Sequence, residues 1–420
     1  MPGGVREGEQ LDAIDGLVPR WVVSPSSTEQ LSSIVTVAEQ EGLTVTPRGH
    51  GSTLELGRPP ARVDLVVDTR RLATILEYNP DDLTVTVQAG VSVGALAARL
   101  VGRRQFLPVD PVGGADRTLG GIAATGASGP LRARYGTMRD LLLGIRFVQA
   151  DGVITWGGAK VVKSVTGYDI PKLMVGSLGT LGVLAELTLR LHPAPLFELS
   201  ALAGFADGAA AQAFIAAIVD STLQPNRLEL LNAPARAACG VGGAPLTIAV
   251  TVGTVEPAVR GQIAQIAALA RTTGAALDAV ESEFWSRYAR SRAIAPGDVV
   301  LRASTLASHI TETAETIQRT SEALLDGMSP LITGCAAVGA LRVLLRRPAL
   351  PAVAALVERL REALRAIDGS VVVEGGPRAL REALDPWGPV PPGPLALMRA
   401  LKKEFDPKGV LNAGRFVAGL

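Results

Sequence analysis

Cysteine and histidine are scarce in this chain. Its 420 residues include only two cysteines, Cys239 and Cys335, and three histidines. So few cysteines in so long a chain exclude a fold built on disulfides. Neither cysteine belongs to a Cys-x-x-Cys motif, so we expect this chain to hold no iron–sulfur cluster of its own. The three histidines are scattered, which argues against a zinc site, and we expect no metal.

Strong charge and long apolar runs are also missing. The formal net charge is +1, so nothing points to nucleic acid or an acidic membrane surface as a partner. No run reaches the roughly eighteen apolar residues of a transmembrane helix, and the richest stretch, 201–219, is interrupted by Asp207. Residues 1–10 are polar and unlike a secretory signal. The composition, with 4% aromatic residues, predicts a cytoplasmic protein long enough for two domains.

One glycine-rich stretch dominates the N-terminal half. Pro-Arg-Gly-His-Gly-Ser at 47–52 follows a short predicted strand at 43–46. Consecutive N–H groups in such a turn form a concave anion site, and phosphate is its usual occupant. Pro47 fixes the entry of the loop, Arg48 adds positive charge and Ser52 adds a hydroxyl. The stretch is neither Gly-x-Gly-x-x-Gly nor a Walker loop. The alternative interpretation is an ordinary glycine-rich hairpin loop.

Two further small-residue stretches support a nucleotide site. The first covers 118–129 and is followed by Arg-Tyr-Gly-Thr at 134–137, and the second, at 176–183, leads into an alternating strand at 184–191. Three such loops beside strands predict a long groove lined by backbone, which suits an extended dinucleotide. Tight packing between strands is the alternative explanation for the glycines of 120–129.

The chain opens with a predicted β-α-β unit. A strand at 21–23 precedes a helix that starts near Ser27 or Thr28, ends at Gly42 and has one apolar face. The next strand therefore delivers the 47–52 loop at its C-terminal end, where open α/β sheets bind ligands. Further predicted elements are strands at 63–68 and 83–87, a helix at 91–100, and a hairpin at 141–155. These strands mix parallel and antiparallel pairs, so the fold class is α+β.

Composition changes after the His-Pro-Ala-Pro at 192–195, and we predict domains at 1–194 and 195–394, with 395–420 returning to the first. Residues 196–280 read as β-α-β-β-α-β, the order of a ferredoxin-like fold. A looser second set follows. Its predicted strands lie near 299–303, 340–345 and 371–374, and its helices near 307–324 and 351–366. A last predicted helix at 394–404 returns the chain to the first domain.

These motifs resemble the FAD-binding domain of the vanillyl-alcohol oxidase and p-cresol methylhydroxylase (PCMH-type) family. The resemblance covers roughly 15–194 and 395–416. The matching stretches, in family order, are 47–52, Val-Gln-Ala-Gly-Val at 87–91, Thr-Leu-Gly-Gly at 118–121, 144–152, 176–183, and Phe-Asp-Pro-Lys-Gly-Val-Leu-Asn-Ala-Gly-Arg at 405–415. Within the family, residues 161–169 and 301–304 look most like the smaller FAD-binding subunit of bacterial glycolate oxidase.

The resemblance implies an FAD-binding PCMH-type domain at 1–194 and an antiparallel, ferredoxin-like cap at 195–394. Some relatives attach FAD through a histidine of the first loop, but that position is Ser52 here, so we expect non-covalent FAD. His50 would lend its N–H and a hydrogen bond. For His192 and His309 we expect surface or capping roles.

The resemblance also distributes the cofactor along the chain. The pyrophosphate would meet the amides of 49–52, the flavin and ribityl chain would run near 125–129 and Gly136, and the adenine end would meet Gly182 and Val183. The complete set of predicted FAD-binding residues is Pro47, Arg48, Gly49, His50, Gly51, Ser52, Thr118, Gly120, Gly121, Thr125, Ser128, Gly129, Gly136, Gly182, Val183 and Asn412.

A 2-hydroxy acid substrate would need a cation for its carboxylate and a base for a proton. Arg302, on an alternating strand, is the first candidate cation, with Arg342 and Arg415 behind it. Each of them would otherwise be a solvated surface arginine. Tyr168 could face the ligand or be a core aromatic. Related catalytic subunits carry a metal-binding histidine cluster in the C-terminal half, whereas this chain has no histidine after His309.

Three functions stay open at this point. The chain is an FAD-binding subunit of a glycolate (2-hydroxy acid) oxidase or dehydrogenase complex, passing electrons to partners that include a catalytic flavoprotein and an iron–sulfur subunit. Alternatively, it is a self-sufficient FAD oxidoreductase, or a non-catalytic assembly subunit. The complex would place it in the cytoplasm, or at the inner membrane through its partners. The sequence leaves the exact substrate, electron acceptor and oligomeric state open.

Overall fold

The chain forms two structural units in the computed structural model, which describes residues 4–159, 167–281 and 283–420. The first unit comprises Met1–Ser128, Gly136–Pro193 and Pro389–Leu420. The second comprises Gly129–Tyr135 and Ala194–Gly388. No helix in the described ranges has both the length and the apolar sequence needed to cross a bilayer.

Up to residue 193 the elements are short and mostly extended. The strands are β1 Val5–Glu7, β2 Trp21–Val23, β3 Val45–Arg48, β4 Leu65–Asp68, β5 Ile75–Asn79, β6 Thr84–Gln88, β7 Gln105–Phe106, β8 Leu142–Val148, β9 Ile154–Gly158, β10 Val183–Arg190 and β11 His192–Pro193. The helices are α1 Thr28–Gln40, α2 Val93–Leu100, α3 Leu119–Thr125, α4 Arg132–Tyr135, α5 Met138–Leu141 and α6 Ile170–Met174.

Two main sheets build the first unit. The first has the order β1-β2-β4-β3, in which β4 pairs in parallel with β2 and β3, and β1 is antiparallel to β2. The second is antiparallel, with the order β5-β6-β10-β8-β9. The predicted mixture of parallel and antiparallel pairs is confirmed. The predicted start of α1 is also confirmed, because the Ser27 hydroxyl accepts a hydrogen bond from the Gln30 amide at 3.2 Å.

Two local predictions for this unit were wrong. The first is the loop at 118–129, since Leu119–Thr125 is a helix. The Thr118 hydroxyl caps this helix by accepting from the Gly121 amide at 3.3 Å, and Gly120 allows close packing against Ala89, the residue after β6. The second is that β5 was not predicted. Its side chains are half-buried or exposed, so they lack the apolar alternation that marks a strand.

From residue 194 onward helices and strands alternate. The strands are β12 Phe197–Phe205, β13 Arg227–Asn232, β14 Leu246–Thr254, β15 Leu277–Ala279, β16 Val299–Ser304, β17 Leu331–Cys335, β18 Ala340–Leu345 and β19 Ser370–Gly375. The helices are α7 Gly208–Val219, α8 Ala233–Ala238, α9 Glu256–Thr272, α10 Phe284–Ser291, α11 Ile310–Leu324, α12 Leu350–Arg365, α13 Arg378–Ala383 and α14 Pro392–Phe405, the last of which belongs to the first unit.

One antiparallel sheet of eight strands organises the second unit. Its order is β15-β12-β14-β13-β17-β18-β16-β19. The strands β12 to β15 and the strands β16 to β19 repeat one pattern. In each set the first strand lies between the fourth and the third: β12 lies between β15 and β14, and β16 lies between β19 and β18. The two sets join through β13 and β17, where Leu230 faces Gly334. The predicted second set lacked β17, whose Leu-Ile-Thr-Gly-Cys sequence is too short and mixed to show a period.

The two faces of this sheet differ in chemistry. One face packs against α7, α9, α11 and α12 and forms the main core, with Leu228, Leu230 and Val343 fully buried. The other face carries polar residues at the alternate positions, as the two-residue period of a strand requires. Phe284 and Tyr288 of α10 pack on part of it with Leu231. The second face is therefore partly apolar, under α10, and partly polar.

Candidate functional site

A cavity in the first unit gathers three of the glycine-rich stretches. Its walls come from the end of β3 and the loop after it, from the start of α3, and from two turns near residues 178 and 412. The lining residues are Pro47, Arg48, Gly49, His50, Gly51, Ser52, Thr53, Leu54, Leu56, Arg117, Thr118, Gly121, Ala124, Thr125, Leu178, Gly179, Asn412 and Arg415.

The loop after strand β3 presents unpaired backbone amides to this cavity. The strand pairs with β4 as far as Arg48, and the chain then leaves the sheet. Within the described ranges, the N–H groups of residues 49–52 donate to no protein acceptor. Gly51 has φ +86°, a conformation that favours glycine. A run of unpaired amides at a turn is a binding site for an anion.

Gly49 brings this loop close to the start of α3. A Cβ atom at Gly49 would lie 2.0 Å from Thr118 Oγ1, which is far below van der Waals contact. Because Thr118 also caps α3, the two walls of the cavity meet at this contact. Any side chain at position 49 would push them apart.

Asn412 carries a buried acceptor without a partner. Its amide donates to the Val45 carbonyl at 2.8 Å, and its Nδ2 donates to the Leu178 carbonyl at 2.6 Å. Its Oδ1 is buried and has no hydrogen bond among the described residues. Both Asn412 (φ 44°) and Leu178 (φ 53°) have left-handed backbone, and such strain is concentrated at ligand sites. A ligand hydroxyl or amino group would satisfy Oδ1.

The cavity is cationic. Arg117 and Arg415 are both buried, and none of the lining residues is acidic. Arg117 donates to the Val112 carbonyl at 2.9 Å, and Arg415 donates to the Leu56 carbonyl at 3.0 Å. These bonds orient the two guanidinium groups, and a lining that contains arginines and no carboxylate favours an anionic ligand.

Arg117 was not predicted. Its signal was its place directly before the Thr-Leu-Gly-Gly motif, where a cation beside a glycine-rich turn fits phosphate binding. By contrast, Arg48 was predicted to give the site its charge, but its Nη2 lies 3.0 Å from Asp12 Oδ1 and 3.3 Å from Asp68 Oδ2. Two carboxylates therefore offset the charge of Arg48.

Those two carboxylates belong to a network behind the loop. Asp12 also pairs with Arg6 at 2.5 Å, and Asp68 pairs with Arg70 at 2.6 Å. The hydrogen bond from Arg6 lowers the pKa of Asp12 well below its ordinary value. Burial opposes ionisation of Asp68, but the hydrogen bonds from Arg70 outweigh it and lower that pKa too. Both groups are anions at neutral pH, and they hold Arg48 in place.

The structure brings most of the predicted cofactor residues together. Those that line the cavity are Pro47, Arg48, Gly49, His50, Gly51, Ser52, Thr118, Gly121, Thr125 and Asn412, together with Arg415 from the predicted catalytic set. Those that do not line it are Gly120, Ser128, Gly129, Gly136, Gly182 and Val183.

Packing accounts for three of the glycines outside the cavity. A Cβ atom would lie 2.6 Å from Ala89 Cβ at Gly120, 2.5 Å from Phe147 at Gly182, and 2.5 Å from the Asp140 carboxylate at Gly136. Tight packing was the alternative explanation for Gly120, and it holds there. A cofactor role for these positions stays a prediction.

The other predicted catalytic residues lie elsewhere. Tyr168 is 93% exposed, so its interpretation as a core aromatic was wrong. Arg302, on β16, is half-exposed and lies 3.2 Å from Glu374 Oε1. Its partner on the neighbouring strand β18 is Arg342, a half-buried residue. Burial, together with nearby Arg292, lowers the pKa of Arg342 to about 10. Arg302 and Arg342 therefore form a cationic pair on the polar face of the second unit.

Family models match both ends of the chain. A model described as "FAD binding domain" matches residues 19–158, and one described as "FAD linked oxidases, C-terminal domain" matches residues 378–416. The two matches contain the 47–52 loop, the start of α3 and Asn412. They therefore contain three walls of the cavity, and its free amides and cationic lining fit the pyrophosphate of FAD.

Curated relatives are named as oxidase subunits or dehydrogenases of hydroxy acids. The chain is 30% identical to probable mitochondrial D-lactate dehydrogenase of Danio rerio over 94% of its own length and 84% of that protein. It is 33% identical to glycolate oxidase subunit GlcD of Bacillus subtilis (strain 168) over 52% of the chain, and 38% identical to glycolate oxidase subunit GlcE of Escherichia coli (strain K12) over 36%. These two matches span 46% and 43% of those subunits.

Solved structures share the fold. Substrate-bound p-cresol methylhydroxylase superposes with a TM-score of 0.74 at 14% identity, covering 95% of this chain and 89% of that one. Alkyldihydroxyacetonephosphate synthase superposes with a TM-score of 0.71 at 17% identity, covering 94% of this chain and 76% of that one. The family and the cofactor predicted from the motifs are confirmed: the chain belongs to the PCMH-type family of FAD-linked oxidases and dehydrogenases and is an FAD-dependent oxidoreductase.

Proposed function

We propose that the chain oxidises a small 2-hydroxy acid with FAD, as the FAD-binding subunit of a glycolate-oxidase-like complex that passes electrons to a partner. The observation that carries the reaction type is the relation to a D-lactate dehydrogenase along 94% of the chain. The similarity to GlcD and GlcE supports the complex. The partners would be a catalytic flavoprotein and an iron–sulfur subunit. The complex would lie in the cytoplasm, or at the inner membrane through these partners.

The cavity in the first unit would hold the cofactor without a covalent bond. The amides of 49–52 would bind the pyrophosphate, Arg117 and Arg415 would offset its charge, and Asn412 Oδ1 would accept from a hydroxyl or amino group. FAD, when bound, supplies the acceptor for the two electrons of the oxidised alcohol. Residues 1–194 and 395–420 would form this FAD domain.

Residues 195–394 would form the substrate cap. The support is the repeated order of its antiparallel strands, which fits the ferredoxin-like arrangement. On its polar face, Arg302 has the exposure to meet a substrate, while Arg342 raises the local positive potential. A 2-hydroxy acid would place its carboxylate on Arg302 and release Glu374 from its pair. A planar guanidinium suits a carboxylate because it donates two parallel hydrogen bonds.

Replacing Arg302 with methionine is expected to raise the KM for the hydroxy acid at least about tenfold, with a smaller change in kcat, since a carboxylate contact is made in both the ground and transition states. Steady-state rates with an artificial electron acceptor measure both constants. Arg359→Met is the matched control, because Arg359 is an exposed helix arginine paired with Glu362. Equal KM values for the Arg302 variant and the unaltered chain would contradict the assignment.

Replacing Asn412 with alanine is expected to weaken FAD binding about three- to tenfold, the worth of one buried hydrogen bond. It removes the acceptor Oδ1 and also the Nδ2 bond to Leu178. Titration of FAD into the flavin-free full chain, followed by flavin fluorescence, gives the dissociation constant. An unchanged constant would show that Oδ1 does not meet the cofactor.

The visible spectrum of the purified chain and its response to substrate test the whole proposal. Flavin released into the supernatant by acid would support non-covalent binding, and flavin in the pellet would contradict the Ser52 argument. Anaerobic bleaching by glycolate or D-lactate only after partner chains are added supports the complex. Bleaching and turnover by the chain alone would establish the self-sufficient enzyme instead. A chain that never binds FAD would be an assembly subunit.

A further inference from the structure

A buried ion pair lies next to the cofactor cavity without lining it. Lys402 of α14 and Asp406, one turn later, are 2.5 Å apart, with side chains 12% and 0% exposed. Neither residue belongs to the cavity wall, and neither was predicted as a site residue. Burial lowers the pKa of Lys402, and Asp406 offsets part of that cost. Charges are kept out of water at this depth only where both are well bonded.

The Lys402 ammonium joins two walls of the cavity. Besides the bond to Asp406, it donates to the Thr180 carbonyl at 2.8 Å and to the Leu411 carbonyl at 3.0 Å. All three of its N–H donors are therefore used. Thr180 follows directly on Leu178 and Gly179, and Leu411 directly precedes Asn412. One side chain thus holds both the 178–179 turn and the asparagine that faces it.

Asp406 also bonds to the segment that precedes Asn412. Its two carboxylate oxygens accept from the Val410 amide at 2.9 Å and the Leu411 amide at 2.8 Å. The short extended segment at 410–412 then pairs in parallel with the start of β3, at Val45. β3 is the strand that delivers the amides of 49–52. Direct hydrogen bonds therefore connect the ion pair to the segments that carry the 178–179 turn and Asn412, and the second of these segments connects it to β3.

We infer that Lys402 and Asp406 act as a positioning pair that sets how tightly this chain holds FAD. The pair acts through Asn412 and the 178–179 turn, and touches no ligand itself. The strained φ of Leu178 and Asn412 is the reason that a brace is needed, since left-handed backbone at residues other than glycine persists only where the surroundings impose it. The inference rests on the FAD site proposed above for this cavity.

The test compares Lys402→Met with Lys403→Met, the same charge change one residue along α14 at an exposed position. FAD is titrated into the flavin-free full chain, and thermal unfolding is measured with and without FAD. Lys402→Met is expected to raise the FAD dissociation constant at least about tenfold, comparable to the loss of a supporting partner at metal sites. It is also expected to reduce the rise in Tm that FAD produces. Lys403→Met should change neither.

A restored ammonium separates positioning from general stability. Lys402→Cys, alkylated with 2-bromoethylamine, regains an amine at nearly the original length, while Cys239 and Cys335 are buried. Recovery of FAD affinity on alkylation supports the inference. If Lys402→Met does not fold, Asp406→Asn takes its place with the same expectation. The double variant with Asn412→Ala should lose less than the sum of the two single effects, because the sites are coupled.

The outcomes separate this inference from the site itself. If Asn412→Ala weakens FAD binding but Lys402→Met and Asp406→Asn do not, the positioning role is wrong and the cavity remains the FAD site. A fall in Tm that is equal with and without FAD, at unchanged affinity, would also overturn it. If none of the three variants alters the affinity of a chain that binds FAD, the cavity is not the cofactor site and the inference falls with it.

Discussion

Replacing Gly49 with valine is expected to leave a folded chain that no longer retains FAD. The new Cβ would lie 2.0 Å from Thr118 Oγ1 and within 3.3 Å of the other two side-chain atoms of Thr118. Rotation of Thr118 would move Oγ1 away only by breaking its cap on α3, so the loop and the start of α3 are expected to separate. The amides of 49–52 then lose their common direction. A loss of ~100-fold in affinity, about 2.7 kcal/mol, is the least we expect.

Gly102→Val is the matched control for this substitution. A Cβ atom at Gly102 meets nothing within 4 Å, so the same added volume should leave FAD binding unchanged. The readout is the FAD dissociation constant, with far-ultraviolet circular dichroism to show that both variants fold. Gly49→Val with stoichiometric FAD would mean that the pyrophosphate lies away from this loop.

Replacing Arg48 with methionine is expected to lower the free energy of unfolding by on the order of 3 kcal/mol. Removing one partner of a buried ion pair leaves an uncompensated charge, and the side chains of Asp12 and Asp68 are 4% and 5% exposed. Each carboxylate keeps one arginine partner, Arg6 or Arg70. The expected loss is therefore at the lower end of the roughly 3–5 kcal/mol that breaking a buried ion pair costs. Urea unfolding followed by tryptophan fluorescence measures the change. A loss below about 0.5 kcal/mol would show that the arginines left suffice.

The same network makes the stability of the folded chain depend on pH in the acid range. Because the folded-state pKa values of Asp12 and Asp68 are lowered, their contribution to stability is complete above the unfolded pKa of about 4 and is lost as the pH falls through the folded values. Arg48→Met should reduce the stability difference between pH 7 and pH 3. Arg359→Met, which alters an exposed pair, should leave it unchanged.

Much of the first unit could be predicted because its signals are local. The Ser27 cap, the apolar face of α1 and the glycines of the 47–52 loop act on residues a few positions away. The prediction failed where a neighbour distant in sequence decided the outcome. Leu119–Thr125 packs closely against Ala89 of a distant segment, whose carbonyl accepts from the Gly120 amide at 2.8 Å. The edge strand β5 forms because β6 pairs with it.

The charged residues of the site also depend on contacts between residues distant in sequence. Sequence reasoning placed Arg48 in the site, but Asp12 and Asp68, 36 and 20 positions away, direct its guanidinium into the network behind the loop. Arg117 faces the cavity because the short turn before it brings it back to the Val112 carbonyl. Which arginine meets the ligand depends on partners that a linear pattern does not contain.

The sequence by itself determined the family, the cofactor and the order of the glycine-rich stretches, because these depend on residue types at fixed short spacings. The tertiary structure alone decided which of those stretches share one cavity. It also decided that Asn412 has a buried acceptor, and that Lys402 bonds to Thr180, 222 positions away. The reason is that orientation, burial and hydrogen-bond partners arise only when distant segments pack, and packing is cooperative over the whole unit.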